Sequence, residues 1–419
     1  RWKYYYKKLF IKNIKFHKYI NERGMEMRTV GTEVKGIRTP IIKEGDDLVD
    51  IVVSSLQKSW EEEGYELKDG DVVAVTESVV ARAQGNYVSV DDIVEELKEK
   101  YPDEIGVVFP ILSRNRFSMI LKAIAKTGRK IYLQLKYPRH EVGNSLMDPK
   151  KLSESYFDPY TDTLSEEEYY NYFGSYKHPF TGINYVDYYK ELAGDTEIEF
   201  IFSNKAETIL KYTKDVLAAD IHTRHKTKNK LKEKGANIVF GLDDICSEKR
   251  DNKGYNPDYG LLGSNKASDE MLKLFPRDGE EFVNEVQKRL IDLTGKDIEV
   301  MIYGDGAFKD PVGKIWELAD PVVSPAFTPG LKGTPNEVKL KYLADNDLGD
   351  LEGEELMEAM KDEIKKKDED LVGEIEAQGT TPRQLTDLLG SLSDLVSGSG
   401  DRGTPVILIQ GYFDNLASE

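Results

Sequence analysis

Short apolar runs alternate with helical stretches through the middle of this chain, and no other feature restricts its fold so strongly. Residues 105–109, 130–135, 197–202 and 237–241 are brief and rich in Val, Ile, Leu and Phe. Between the first two, residues 115–125 carry apolar side chains at helical spacing, and another helix is expected after Lys205. Strand and helix in alternation predict a small parallel sheet covered by helices.

On either side the pattern is mixed. Residues 46–56 read as a helix starting after Gly45, and 71–75 as a buried strand after the turn Lys68, Asp69, Gly70. Residues 91–100 form a charged amphipathic helix, 280–293 have helical periodicity stopped by Gly295, and 298–302 are a short apolar strand. The acidic stretch 337–376 reads as helical with Lys365, Lys366 and Lys367 on a solvated face, and a helix at 385–396 precedes an apolar strand at 405–409. The expected fold class is mixed α/β: two α+β lobes, residues 27–100 and 246–419, with a small parallel α/β sheet inserted at 101–245. Within the insert, residues 137–189 hold Tyr156, Tyr160, Tyr169, Tyr170, Tyr172, Tyr176, Tyr185 and Tyr188. That much tyrosine is too apolar for a disordered linker, so an ordered excursion is expected, either functional or a cover over the sheet.

The 419 residues include 58 basic and 76 acidic ones, a net charge of −18. This argues against a general nucleic-acid binder, which meets phosphate backbones with clustered Lys and Arg. Small anionic ligands stay open through local basic pockets. No run approaches the ~18 apolar residues of a membrane span, no apolar signal segment is seen, and Cys246, the one cysteine, can form no internal disulfide. A cytoplasmic address without membrane contact is expected. Residues 1–26 stand apart as basic and aromatic. They read either as an extension outside the native protein, which would then start at Met25 or Met27, or as an N-terminal helix packed on the body.

Four segments can carry chemistry. After the strand at 71–75 come Thr76, Ser78 and Arg82, donors suited to a phosphate or carboxylate, although such residues also cap helices. Asp305, between Gly304 and Gly306 at a strand end, can hold Mg²⁺ while bare backbone approaches a phosphate; a plain turn has the same look. Gly398, Ser399, Gly400, Asp401, Arg402 and Gly403 join a helix to a strand, where a fixed backbone nest for an anion fits better than a linker. Arg114 and Arg116 open the helix after the 105–109 strand, a place that favours an anion and equally suits surface ion pairs. His222 and His225, near Asp220, permit a metal pair but lack a third ligand.

Taken together, these blocks resemble the coenzyme F420-0:L-glutamate ligase family. Pro40, Ile42, Gly45, Asp46, Asp47 and Leu48 match its opening Pro-x-Ile-x-x-Gly-Asp-Asp/Asn-Leu. Ser78, Arg82, Ala83 and Gly85 are similar to its Ser/Thr-x-x-Ser-Lys-Ala-Glu-Gly. Thr294, Gly295 and Asp305 fall where the family has Thr-Gly, a strand and a metal-binding Asp-Thr, and the glycine loop before the last strand is shared. The resemblance covers about half the chain. It implies a nucleotide- and metal-dependent γ-glutamyl, amide-forming ligase that uses GTP or ATP with Mg²⁺ or Mn²⁺ to join L-glutamate to a small anionic acceptor.

Joined to the residues above, the resemblance gives an assignment. Asp305 and Arg82 are the catalytic residues, and Asp305 and Asp401 hold metal. Ser78 meets phosphate, Gly398, Ser399, Gly400, Arg402 and Gly403 surround nucleotide or acceptor, and Arg114 and Arg116 take a second anionic ligand. The family's Gly-Ile-Asp-x-Ser-Asn corresponds to Gly260, Leu261, Leu262, Gly263, Ser264 and Asn265. Ser264 and Asn265 are thus implied at the cofactor, while Leu262 stands where an aspartate is expected, and leucine cannot hold a metal. A second reading follows from that leucine: a non-catalytic or regulatory ligand-binding protein on the same scaffold. A third takes the 105–241 sheet as an independent mononucleotide-type domain. A homodimer is left open.

Overall fold

The computed structural model describes residues 30–418 apart from 142, 180, 251–252, 305–306, 310–315, 319–323, 368–369, 372–373, 378–382 and 398–400. The basic stretch 1–26 therefore lies outside the described residues. The first part of the chain forms β1 (Glu33–Ile37), α1 (Leu48–Glu63), β2 (Val72–Thr76), α2 (Glu77–Ala83), β3 (Tyr87–Ser89) and α3 (Val90–Lys100). The middle part supplies β4 (Ile105–Val108), α4 (Phe117–Lys126), β5 (Ile131–Leu135), α5 (Pro149–Glu154), β6 (Leu164–Ser165), α6 (Glu166–Phe173), α7 (Tyr185–Ala193), β7 (Ile198–Phe202), β8 (Asp215–Ala218), α8 (Arg224–Glu233) and β9 (Ile238–Gly241). Then follow β10 (Asn265–Lys266), β11 (Met271–Lys273), α9 (Gly279–Thr294), β12 (Glu299–Tyr303), β13 (Ala307–Lys309), β14 (Trp316–Leu318), β15 (Ala326–Phe327), α10 (Leu340–Asp345), α11 (Gly353–Lys366), α12 (Leu385–Ser397) and β16 (Val406–Gln410). The class is mixed α/β, as expected.

One sheet joins the two ends of the chain in the order β1-β16-β2-β12-β15. Only β2 and β12 run parallel; β16 lies antiparallel between β1 and β2. Val72, Val73, Ala74 and Val75 are all fully buried because helices cover both faces of β2. Val73, Val75, Val300, Ile302 and Leu408 face Val52 and Leu56 of α1 and Val283, Val286 and Leu290 of α9. Ala74, Met301, Ile407 and Ile409 face Leu385 and Leu389 of α12. Each such side chain removed from water contributes roughly 1.5–3 kcal/mol for Val or Leu. Helix α1 is bounded as its sequence dictates. The Asp47 carboxylate accepts from the Asp50 N–H, and Gly64, at φ 70°, turns the chain out of the helix.

The second sheet has the order β6-β7-β5-β4-β8-β9, parallel throughout except β6. Helices α3, α4, α6 and α7 pack on one face, while α8 and the turn Ala206–Lys211 pack on the other. The tyrosine-rich stretch is ordered and part of this core. Tyr137, Tyr169, Tyr185 and Tyr189 are buried, and Tyr169 stacks on Phe202 with centroids 4.4 Å apart. Their hydroxyls have partners: Tyr169 donates to the Leu146 carbonyl and Tyr137 to that of Asp162. Tyr156 and Tyr160 are exposed. A small sheet, β10-β11-β3, ties the chain after β9 to the entrance of α3. Among the described residues no helix is long and apolar enough to cross a membrane.

Candidate active site

The parallel pair β2 and β12 ends in register, Thr76 beside Tyr303, and β16 begins opposite the same place, Val406 beside Val75. Two carboxyl strand ends and one amino strand end thus open onto one edge of the sheet. There a cleft of about 450 Å³ is lined by Thr76, Ser78, Arg82, Tyr303, Asp394, Ser397, Gly403 and Thr404, with Thr39 to Ile42 forming its rim. Ser78 and Arg82 are four residues apart on α2, so both project from one helix face. Both are exposed, and Arg82 has no ion pair among the described residues. An unpaired guanidinium beside hydroxyl groups is a receptor for phosphate or carboxylate.

The loop side of the cleft is tied down by short contacts. Thr404 donates to the Ser397 carbonyl at 2.9 Å, and the Thr76 N–H donates to the Pro405 carbonyl at 2.9 Å. Gly403 has φ 66°, a left-handed conformation natural to glycine. Beneath Ser78, Glu77 is buried and its two carboxylate oxygens accept from Lys273 of β11 at 2.9 and 3.0 Å. This pair pins the start of α2 to a strand 196 residues away in sequence.

Of the residues singled out from sequence, Ser78, Arg82 and Gly403 line this cleft. Asp305, Gly398, Ser399 and Gly400 lie outside the described residues, but the chain on their near sides, Tyr303 and Ser397, lines the cleft as well. Asp401 and Arg402 are exposed in the turn that follows, Arg402 donating to the Val396 carbonyl at 3.4 Å, and neither lines the cleft. Arg114, Arg116, Ser264 and Asn265 are grouped elsewhere. Arg116 donates to the Asn265 side-chain oxygen at 3.0 Å, the Lys266 N–H donates to the Asn115 carbonyl at 2.7 Å, Ser264 is fully buried, and Arg114 is exposed. None of the four lines the cleft. His222 and His225 belong to no group of three potential metal ligands among the described residues.

Leu262 is buried in the core beside Leu261, so its position packs apolar surface. The glycines around it are equally committed to packing. Gly260 has φ 46°, and a Cβ there would sit 2.3 Å from the Ile245 carbonyl oxygen and 2.9 Å from those of Asp243 and Leu242. Backbone oxygens cannot step aside as a side chain can. Gly260→Ala is therefore expected to lower stability by about 2–4 kcal/mol, combining left-handed strain with overpacking. Urea unfolding of the variant measures this, and a wild-type midpoint would show that the segment is free to move.

Asp394 of the cleft was not singled out from sequence, nor was the Glu77–Lys273 pair under Ser78, and Thr404 stood beside the glycine loop without a role of its own. Thr39 and Pro40 stood inside the opening block without a role, and their place on the rim gives that block one.

A family model for F420-0:gamma-glutamyl ligase matches residues 36–411. The coenzyme F420:L-glutamate ligase of Methanothermobacter thermautotrophicus is 35% identical over 54 residues, 13% of this chain and 20% of that protein. The match thus spans about a fifth of the length of this curated relative. Among solved structures, the biosynthetic arginine decarboxylase of Campylobacter jejuni aligns over 89% of this chain and 68% of its own at 11% identity and a TM-score of 0.14, a likeness that carries no argument. With the family match running from the rim of the cleft through β16, the chain belongs to the F420-0:gamma-glutamyl ligase family.

Proposed function

We propose that this chain is a nucleotide- and metal-dependent γ-glutamyl ligase, joining L-glutamate to a small anionic acceptor through an amide bond at the expense of GTP or ATP. The observation that carries the reading is the meeting of Ser78, Arg82, Gly403 and the end of β12 in one cleft. A nucleoside triphosphate, when bound, supplies the phosphoryl group that makes a carboxylate reactive toward an amine. The chain's own part is to hold charge in place. Arg82 offers paired N–H donors to a phosphate, the hydroxyls of Thr76, Ser78 and Thr404 offer single ones, and the Gly403 backbone leaves room for close approach. These residues suit a polyphosphate.

The metal is a different matter. Asp394 is the one carboxylate among the described residues that line the cleft, and no group of three His, Cys, Asp or Glu able to hold a metal occurs among the described residues. Mg²⁺ or Mn²⁺ enters the proposal through Asp305, two residues beyond Tyr303, since Asp401 does not line the cleft. Leu262, buried where the family carries an aspartate, favours a second reading, a ligand-binding protein that kept the cleft and lost the reaction.

The relative's printed name supplies the first substrates to try. The chain is mixed with L-glutamate, coenzyme F420 or a panel of small anionic acceptors, Mn²⁺ or Mg²⁺, and GTP or ATP. Phosphate release that requires both glutamate and acceptor is expected. Failure of every nucleotide to bind at millimolar concentration by calorimetry would sink the ligase, whereas binding without turnover would establish the second reading.

A further inference from the structure

A second opening, larger than the cleft, lies past the other end of β16. It is a groove of about 670 Å³. Leu340 of α10, Ile364 of α11, Leu385 at the start of α12, and Tyr412 and Phe413 just after β16 give it an apolar wall. Ile364 and Leu385 are buried beneath it, whereas Phe413 is 39% exposed. The rings of Tyr412 and Phe413 meet edge to face with centroids 5.4 Å apart, so they stand as one aromatic surface. Apolar surface left facing water in a concavity of this size marks a place that something covers.

The charge on the groove narrows what that is. Glu337 and Asp414 line it, and both are exposed. Lys367 is the one cation among the described lining residues, and its ammonium donates to the Asn336 carbonyl at 2.5 Å. Burial, and then the Glu337 carboxylate, push the Tyr412 hydroxyl above its ordinary range, so carboxylate and aromatic surface are close neighbours. Such a lining fits an occupant that is both aromatic and basic.

The described chain begins at this groove. Gly31 lines it. The Thr32 hydroxyl donates to the Gly411 carbonyl at 3.4 Å, and a Cβ on Gly411 would lie 2.5 Å from the Gly31 carbonyl oxygen, so the two backbones touch one residue before Tyr412. Whatever precedes Val30 therefore sets out from the lip. What precedes it is the basic and aromatic stretch: residues 1–26 hold eight Lys and Arg against two Glu, with Trp2, Phe10, Phe16 and Tyr19 among their aromatic side chains. In a chain of net charge −18, that sign is opposite to the rest. So short a tether sets the stretch at roughly millimolar effective concentration, and modest affinity is then enough.

We infer that residues 1–26 dock in this groove, their aromatic side chains against Tyr412, Phe413 and Leu340 and their lysines opposite Glu337 and Asp414. Of the two readings of that stretch, this is the packed one. None of the residues lining the groove line the cleft, so the inference stands apart from the ligase reading.

Carbodiimide cross-linking of the full chain, read by mass spectrometry on an equal mixture of isotope-labelled and unlabelled protein, tests it. Amide links from lysines of residues 1–26 to Glu337 or Asp414 are expected, and within one chain. Trypsin should cut within residues 1–26 about tenfold faster in Phe413→Asp, and likewise in the double variant Glu337→Lys, Asp414→Lys, than in the wild type, because cleavage follows the undocked population. All three positions are exposed, and circular dichroism confirms the fold of the variants. No links, links spread evenly over the acidic surface, or equal cleavage in wild type and both variants would overturn the inference. So would links joining labelled to unlabelled chains, which would mean that a second copy fills the groove. The cross-links use the wild-type chain, so a variant that fails to fold does not spare it. Loss of nucleotide binding would strike the ligase reading and leave this one standing.

Discussion

Arg82→Ala is expected to lower the kcat/KM of the proposed nucleotide-driven reaction by about two to three orders of magnitude while leaving the fold intact. The guanidinium is exposed and has no ion pair among the described residues, so its removal breaks no salt bridge among them. Surface substitutions of that kind stay within roughly 0.5 kcal/mol in stability. Its loss should be felt only when a phosphate arrives, because a charge-assisted hydrogen bond contributes about 1.5–3 kcal/mol and more where charge develops during reaction. Arg82→Lys should recover only part of the loss, since a lysine offers a point charge in place of a planar fork. Steady-state kinetics with calorimetry of nucleotide binding measure both. A variant with wild-type affinity and rate would remove Arg82 from the site.

Lys273→Met is expected to destabilise the protein by about 3–5 kcal/mol, the range for breaking a buried ion pair from one side. Lys273 donates to both oxygens of Glu77, and the two side chains are 11% and 6% exposed. Without the ammonium, a carboxylate is left in the core between Thr76 and Ser78. The double variant Glu77→Gln, Lys273→Met should regain most of the loss, because the charge is then removed from both sides of the pair. Urea unfolding of the three proteins gives the coupling, and nucleotide binding by the double variant reports whether the pair also sets the pose of Ser78. A single variant as stable as wild type would mean that Glu77 is satisfied by other means.

Periodicity showed the elements that have one. The apolar run of β2 and the strand β16 were legible to within a residue of their observed bounds, and α1 was legible at its start, although it runs on to Glu63, past the expected end at Leu56. Strand β8 was not. Its four residues Asp215 to Ala218 begin with a carboxylate and are too few to show alternation, and they become a strand because β4 and β9 supply partners on both sides. Helix α8 was equally hidden: only Thr227 and Leu231 of its ten residues are buried, so no stripe marks it. In the cleft, Ser78 and Arg82 were readable because donors after a buried strand have a chemical meaning on their own. The parts played by Thr404 in the cleft and by Lys273 behind it were not, since an ordinary threonine or lysine acquires a role only from the segment that the sheet sets beside it.

The seat of β16 between β1 and β2 has a consequence for how the molecule is born. Glu33 pairs with Gln410 and Val72 with Ile409, so the slot between the first two strands stays open while the ribosome makes everything in between. Such long-range pairing is slow and leaves strand edges uncovered in the meantime. The first sheet can finish only after the second sheet has had time to form, and the nascent chain must keep a sticky gap from finding a wrong partner until β16 emerges to fill it.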